Sequence, residues 1–281
     1  MNRVKNILIL GAGGQLGREL INIYPGSIGL YHGDGKDSGI DLSDFASISE
    51  KIMSRHPDVI INAAALANVD RCEKERTYAL SVNGYAVKAM VSSARELDIP
   101  FIHVSTDYVF DGTESLYSES STPNPINFYG LSKYTGDIFA DSYDKSLIVR
   151  TSGVFGYSSN FPKFVYKTLS EGSIVNAIPG FYSPIHARNL AIAIKELIDL
   201  QLRGIINVAG ERISRFELAK RIAETFEFSE SLITESAEVK SMIAKRPYDS
   251  SLDIKKVKSL LHEDLFSIRS NLNRFRETAD R

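Results

Sequence analysis

Six short runs in this chain are apolar almost throughout: NILILGAG, SIGLYHG, VIINAAA, FIHVSTD, SLIVRTS and IINVAG. A strand with one face in water alternates apolar with polar residues. A run that is apolar at nearly every position is covered on both faces, as in a parallel sheet between helix layers. Between these runs lie QLGRELINIY, SDFASISEKIMSRH, ERTYALSVNGYAVKAMVSSARELD and NLAIAIKELIDLQ. They carry apolar residues at helical spacing, and the second opens on a Ser/Asp cap. Strand and helix in alternation predict an α/β fold with a doubly wound parallel sheet.

The regularity weakens after Arg150. NFPKFVYKTLSEGSIVNAIPGFYSPIHARN mixes a short helix with Pro/Gly turns, and SRFELAKRIAETF reads as a capped amphipathic helix. Residues 1–150 with about 186–209 are expected to form the sheet domain. About 151–185 with 210–281 are expected to form a smaller α/β lobe for substrate.

Composition narrows the function. The chain has 281 residues, 43% hydrophobic and 24% charged, with a formal net charge of −2. That is enough length for a large core, and it argues against a nucleic-acid partner. Cys72 is the only cysteine, so no internal disulfide or cysteine metal site is available. The five histidines, His32, His56, His103, His186 and His262, form no close ligand pair, and no metal is expected. The apolar run behind the basic N-terminus is too short for a signal peptide and breaks at glycines. The run near VIINAAALANV is well short of a membrane span. A soluble, cytoplasmic chain with no membrane partner is expected; a homodimer is compatible with the sequence.

ILILGAGGQLGREL places Gly11, Gly13, Gly14 and Gly17 between a strand and an amphipathic helix. A glycine pattern means little alone, but this one opens a βαβ alternation. Gly11 allows a tight turn, Gly14 lets the backbone approach a pyrophosphate, and Gly17 permits close helix packing. The helix N-terminus then turns its free N–H groups toward the phosphates. The pattern is expected to form the dinucleotide site of a Rossmann sheet, against a glycine turn with no ligand. The acid that would hold an adenosine ribose is missing from LYHGDG, where Tyr31 and His32 stand, and Asp34 falls late. With His32 and Lys36 nearby, NADP(H) is preferred, with NAD(H) as the alternative.

FIHVSTDYVFDG brings Ser105, Thr106 and Tyr108 to the carboxyl edge of the sheet, where open α/β folds bind ligands. NPINFYGLSKYTGD sets Tyr129 four residues before Lys133, on one face of a helix. With 13 tyrosines in the chain, that spacing also arises by chance. The glycine turn and the strand-end hydroxyl make the pair an acid–base set. A Lys133 ammonium beside Tyr129 is expected to favour the phenolate and lower its pKa. Thr106 is suited to hydrogen-bond a substrate oxygen and stabilise alkoxide charge.

GAGGQLG, DVIINAAALANVDRCE, SVNGYA, STDYVFDG, PINFYGLSK, RTSGVFG and AKRPYDSSLD together resemble the dTDP-4-dehydrorhamnose reductase family of the extended short-chain dehydrogenase/reductases. The resemblance runs over essentially the whole chain. It implies reduction of a 4-keto sugar nucleotide with hydride from NAD(P)H and a proton from Tyr129. Thr106 would assist the carbonyl, and Lys133 would support Tyr129 and the ribose. Asp41 and Leu42 would sit near adenine. Gln15, Leu16, Asn62, Ala63, Ala64 and Ala65 would line the cofactor, and Asn83 would support the site. Asp107, Tyr108, Gly153, Ser183 and Arg246 would complete the substrate side.

Two features depart from the family pattern. The family's usual Trp is Gly153 here, and IPGFYSPIH keeps only part of the next motif. Phe181, Tyr182 or Phe155 are candidates to replace the lost aromatic surface. Both changes fall on the substrate side, so a reductase or epimerase acting on another sugar nucleotide is one alternative. A dehydratase would follow Thr106-Asp107 with a second carboxylate, where this chain has Tyr108. The other alternative is an NADP-binding regulatory subunit, like that of methionine adenosyltransferase. Asp70 and Glu73 read as loop anchors, Cys72 as an inert thiol, and His103 as a satisfied near-site histidine.

Overall fold

β1 (Ile7–Leu10) explains the architecture by itself. Ile7 and Ile9 point into one hydrophobic core, while Leu8 and Leu10 point into another on the opposite face. The same split separates Val59 and Ile61 from Ile60 in β4 (Val59–Asn62). Each strand is a period-two ribbon with apolar partners on both sides, which is why its sequence shows no alternation.

The computed structural model describes residues 6–33, 38–157, 160–235, 242–261 and 264–279. Asp34, Lys36 and His262 lie outside these. The sheet has seven strands. Beside β1 and β4 it contains β2 (Ile28–His32), β3 (Gly39–Ile40), β5 (Phe101–Thr106), β6 (Ser146–Thr151) and the edge strand Gly204–Asn207. The spatial order is Gly204–Asn207, β6, β5, β4, β1, β2, β3, and every pairing is parallel. The order reverses between β1 and β4, which opens a crevice at their carboxyl ends. Six of these strands are the six apolar runs. β3 is only two residues long, too short for a periodic signal.

The long helical stretch after β4 is divided. Val69–Lys74 and Arg76–Leu80 are separate turns of helix, and a π-helical turn, Ser81–Tyr85, leads into Ala86–Glu96. Such a turn widens the helix where a side chain must be re-aimed, and Asn83 lies in it.

A third core gathers Phe155, Val165, Leu169, Tyr182, Leu218, Ile222 and Phe275. The helix Phe161–Ser170 starts at Asn160, whose side chain accepts from Lys163 N–H. The helix Arg215–Phe226 starts at Ser214, whose hydroxyl accepts from Glu217 N–H. Short strand pairs, Phe181–Tyr182 with Ile213–Ser214 and Val154–Phe155 with Ile185–His186, stand beside the carboxyl ends of β5 and β6. Leu252, Ile254, Val257, Leu265 and Phe266 belong instead to the first core, under the sheet. No described helix is long and apolar enough to cross a membrane.

Candidate active site

Gly11 follows β1 at φ +79°. A Cβ there would come within 2.7 Å of the Ala64 backbone, so conformation and space both demand glycine. Gly14 is the N-cap of the helix Gln15–Ile23, and no side chain caps it. The first N–H groups of that helix therefore face the crevice. A Cβ on Gly17 would overlap the Gly11 carbonyl oxygen. Only glycine lets the helix sit this close to the strand end. A cradle closed to side chains and lined with free N–H groups fits a dinucleotide pyrophosphate.

Two adjoining cavities open from this cradle. One, of about 330 Å³, is lined by Gly11, Gly14, His32, Leu42, Ala63, Ala64, Ala65, Arg71 and Tyr78. The other, of about 450 Å³, is lined by Gly14, Gln15, Leu16, Thr106, Asp107, Tyr108, Tyr129, Lys133, Gly153, Tyr182 and Arg215 among others. Leu42 is therefore on the lining. Asp41 is exposed outside it, and its carboxylate accepts from the Ser43 N–H at 2.8 Å and the Ser43 hydroxyl at 2.7 Å. Asn83 stands behind the wall. Its Oδ1 accepts from Leu66 N–H at 2.8 Å, and its Nδ2 donates to Ser132 Oγ at 3.0 Å. It ties the loop after β4 to the helix Phe128–Asp141.

That helix carries Tyr129 and Lys133. Asn127 caps it by accepting from Gly130 N–H at 2.8 Å, and Glu73 accepts from Phe128 N–H at 2.7 Å. Gly130 packs so closely on the turn after β5 that a Cβ would overlap the Tyr108 carbonyl oxygen. Tyr129 is thereby set against Thr106, with its ring edge-on to Tyr108 at 5.9 Å. The Thr106 and Tyr129 side chains line the same cleft. Thr106 Oγ1 donates to Asp107 Oδ1 at 3.1 Å and accepts from Tyr108 N–H at 3.2 Å.

The expected effect of Lys133 on Tyr129 is not what this arrangement produces. Lys133 Nζ donates to the Val104 carbonyl at 2.7 Å. Burial dominates both groups: it pushes the Tyr129 phenol well above its ordinary range and brings Lys133 down to about 8. The nearby Thr106 hydroxyl opposes the rise in Tyr129.

A buried polar chain lies behind Lys133. Asn62 Oδ1 accepts from Ala64 N–H at 3.1 Å, which turns its Nδ2 toward His103 Nδ1 at 3.1 Å. His103 Nδ1 must then accept, so the ring proton sits on Nε2. Nε2 faces Asp137 at 3.5 Å and Lys133 Nζ at 3.5 Å. Asp137 in turn faces Arg150 at 3.5 Å. Burial holds His103 neutral, down to about 4. Asn62 and His103 therefore support the site from below rather than line it, and Asp137 and Arg150 were not singled out from the sequence.

On the lobe side, Asp107 collects hydroxyls from three segments. Ser152 Oγ donates to it at 2.7 Å, Ser250 Oγ at 2.6 Å, and Thr106 as above. Burial raises its pKa, and these hydrogen bonds oppose the rise. Ser152 and Ser250 fall inside RTSGVFG and DSSLD, but nothing local marks them as partners. Ser183 is fully buried, and its hydroxyl accepts from Leu252 N–H at 3.2 Å. Arg246 pairs with Asp70 at 2.9 Å, and Asp70 also accepts from Ala244 N–H at 3.1 Å. Ser183 and Arg246 thus brace the walls of the cleft, while Gly153 lines it. Asp70 and Glu73 are anchors, and Cys72 is buried with its thiol pushed up to about 11.

The fold and the groups facing one another across the cleft put the chain among the oxidoreductases built on a doubly wound sheet. The family model described as the RmlD substrate binding domain matches residues 5–280, and the chain belongs to that family. It is 32% identical over 276 residues to a probable low-salt glycan biosynthesis reductase of Haloferax volcanii, covering 90% of this chain and 91% of the relative. A crystal structure described as a hypothetical dTDP-4-dehydrorhamnose reductase from Sulfolobus tokodaii is 49% identical, with a TM-score of 0.88 over 93% of this chain and 96% of that one. The dTDP-4-dehydrorhamnose reductase of Bacillus anthracis, solved with NADP, is 29% identical with a TM-score of 0.88, over 97% and 99% of the two chains.

Proposed function

We propose that this protein is an NADPH-dependent reductase of the 4-keto group of a nucleotide-activated deoxysugar, converting dTDP-4-dehydro-L-rhamnose to dTDP-L-rhamnose. The observation that carries the reading is the meeting of Thr106, Tyr129 and Lys133 on the cleft that continues from the glycine cradle. Residues 1–150 with about 186–209 hold the dinucleotide, and about 151–185 with 210–281 hold the sugar nucleotide. Within the latter, Leu252, Ile254, Val257, Leu265 and Phe266 pack with the sheet.

When bound, the nicotinamide supplies the hydride. The rest falls to the chain. Gly11, Gly14 and Gly17 admit the pyrophosphate to the helix N-terminus. Thr106 and Tyr129 hydrogen-bond the substrate carbonyl oxygen. Burial keeps Tyr129 in its phenol form until the oxygen gains charge, and the phenol then donates its proton. Lys133 would hold the ribose hydroxyls and, while charged, stabilises the phenolate left behind. His32 and Arg71 line the adenosine cavity, and none of its described lining residues is Asp or Glu. That supports NADP(H) over NAD(H). The Bacillus anthracis relative, solved with NADP, favours the same choice. A cytoplasmic site of action suits this substrate class.

The test is NADPH and NADH oxidation with dTDP-4-dehydro-L-rhamnose. Wild type is expected to turn over, with NADPH the better donor. Tyr129→Phe is expected to lose about 10²- to 10⁴-fold in kcat while still binding NADPH. NADPH binding without turnover would sink the dTDP-4-dehydro-L-rhamnose reading and leave either another sugar nucleotide as substrate or a regulatory binder.

A further inference from the structure

Gly153 lies on the cleft wall just beyond β6 and is exposed. Its φ is not in the left-handed region, so space alone decides what can stand there. A Cβ at Gly153 would lie 2.7 Å from Cε2 and 3.0 Å from Cδ2 of Tyr182. The Tyr182 ring therefore holds the space into which any side chain at that position would grow.

Tyr182 is fixed there from several directions. The next residue, Ser183, donates its N–H to Ser152 Oγ at 3.2 Å, and Ser152 is tied to Asp107 beside Thr106. Ile185 N–H donates to the Gly153 carbonyl at 3.3 Å. Tyr182 pairs antiparallel with Ile213, and the Arg215 guanidinium lies 5.1 Å from the ring centroid, a cation–π distance. The ring is only 7% exposed, and its hydroxyl has no hydrogen-bond partner among the described residues. A buried, unpartnered phenol is unfavourable, and a ligand is one thing that satisfies it. Neither neighbouring phenylalanine offers a hydroxyl, and Phe155, although on the cleft lining, is only 1% exposed. Phe155 packs on His186 and Phe275 in the lobe core, and Phe181 faces Tyr248 and Arg212.

We propose that Tyr182 determines sugar specificity: its ring forms the wall that Gly153 leaves bare, and its hydroxyl hydrogen-bonds a hydroxyl of the bound pyranose. The inference rests on the sugar-nucleotide reading given above. A pocket built to meet a substrate hydroxyl discriminates strongly, because an analogue that lacks it leaves the phenol unpaired.

Steady-state kinetics with dTDP-4-dehydro-L-rhamnose and NADPH test this. Tyr182→Phe is expected to raise KM for the sugar nucleotide about tenfold, with kcat within about twofold and the KM for NADPH unchanged. Gly153→Ala is expected to raise the same KM by displacing the ring. In a Tyr182→Ala background, Gly153→Ala should add nothing, since the two residues share one space. Tyr182→Phe with an unchanged KM overturns the inference, as does a Gly153→Ala effect that persists in full without Tyr182. If Tyr182→Ala fails to fold, the two single substitutions still decide. Wild type that neither turns over nor binds the sugar nucleotide defeats the reading itself, and the inference with it. The wild-type assay thus separates that failure from a failure of the variants.

Discussion

Lys133 donates its ammonium to the Val104 carbonyl, 2.7 Å away, two residues before the Thr106 hydroxyl on the same strand. The charged end of one helix residue is thus held to the strand that delivers the catalytic hydroxyl. The helix and β5 cannot slide past one another without breaking this bond.

The same burial sets a pH limit on activity. Lys133 is brought down to about 8 by desolvation, so it carries its charge below that value and loses it above. Turnover should be flat through neutral pH and fall as pH rises through about 8. Lys133→Met should lower kcat throughout and remove that alkaline limb, as read from kcat/KM against pH.

Gly130→Ala should damage catalysis without altering any reactive side chain. Its methyl would overlap the Tyr108 carbonyl oxygen and push the helix off the turn that holds Thr106. A displacement of about 1 Å costs on the order of 10²-fold in rate. NADPH affinity, measured by fluorescence titration, should change little because the glycine cradle lies elsewhere.

Asp107→Asn should destabilise the fold. The carboxylate accepts from the hydroxyls of Thr106, Ser152 and Ser250. An amide replaces one acceptor oxygen with a donor, leaving a buried hydroxyl unmatched at about 1–3 kcal/mol. Urea denaturation should report the loss, with Ser250→Ala the milder companion.

Acid should weaken the protein through His103 and His186. Both are buried neutral, brought down from 6.5 to about 4. In that window the unfolded chain binds protons that the folded chain refuses, so stability falls as pH drops from about 6.5 toward about 4. Below both values the effect levels off. Denaturation midpoints measured across this range should decline, and should do so less steeply in a folded His186→Asn variant.

The sheet was legible because burial on both faces leaves its mark on every residue of a strand, as in Ile7–Leu10. The cradle was legible because glycine is the only residue its geometry admits. Tyr129 and Lys133 were legible as a pair, since helical spacing fixes their shared face. What the sequence hid was the environment of each group. Nothing local tells that Lys133 turns to Val104 or that its burial outweighs its attraction to the phenol. The Asp107 partners stand 45 and 143 residues away, a separation that leaves no pattern to read. Asp41 matched by position but faces Ser43, because its side chain closes a local turn.

Ser250 is the last of those partners to be made. A chain still emerging from the ribosome has Thr106, Tyr129 and Lys133 long before it has the hydroxyl that completes the Asp107 cluster. Synthesis therefore delivers the reactive groups first and the Ser250 brace 143 residues after Asp107, so the site matures well after its reactive groups are made.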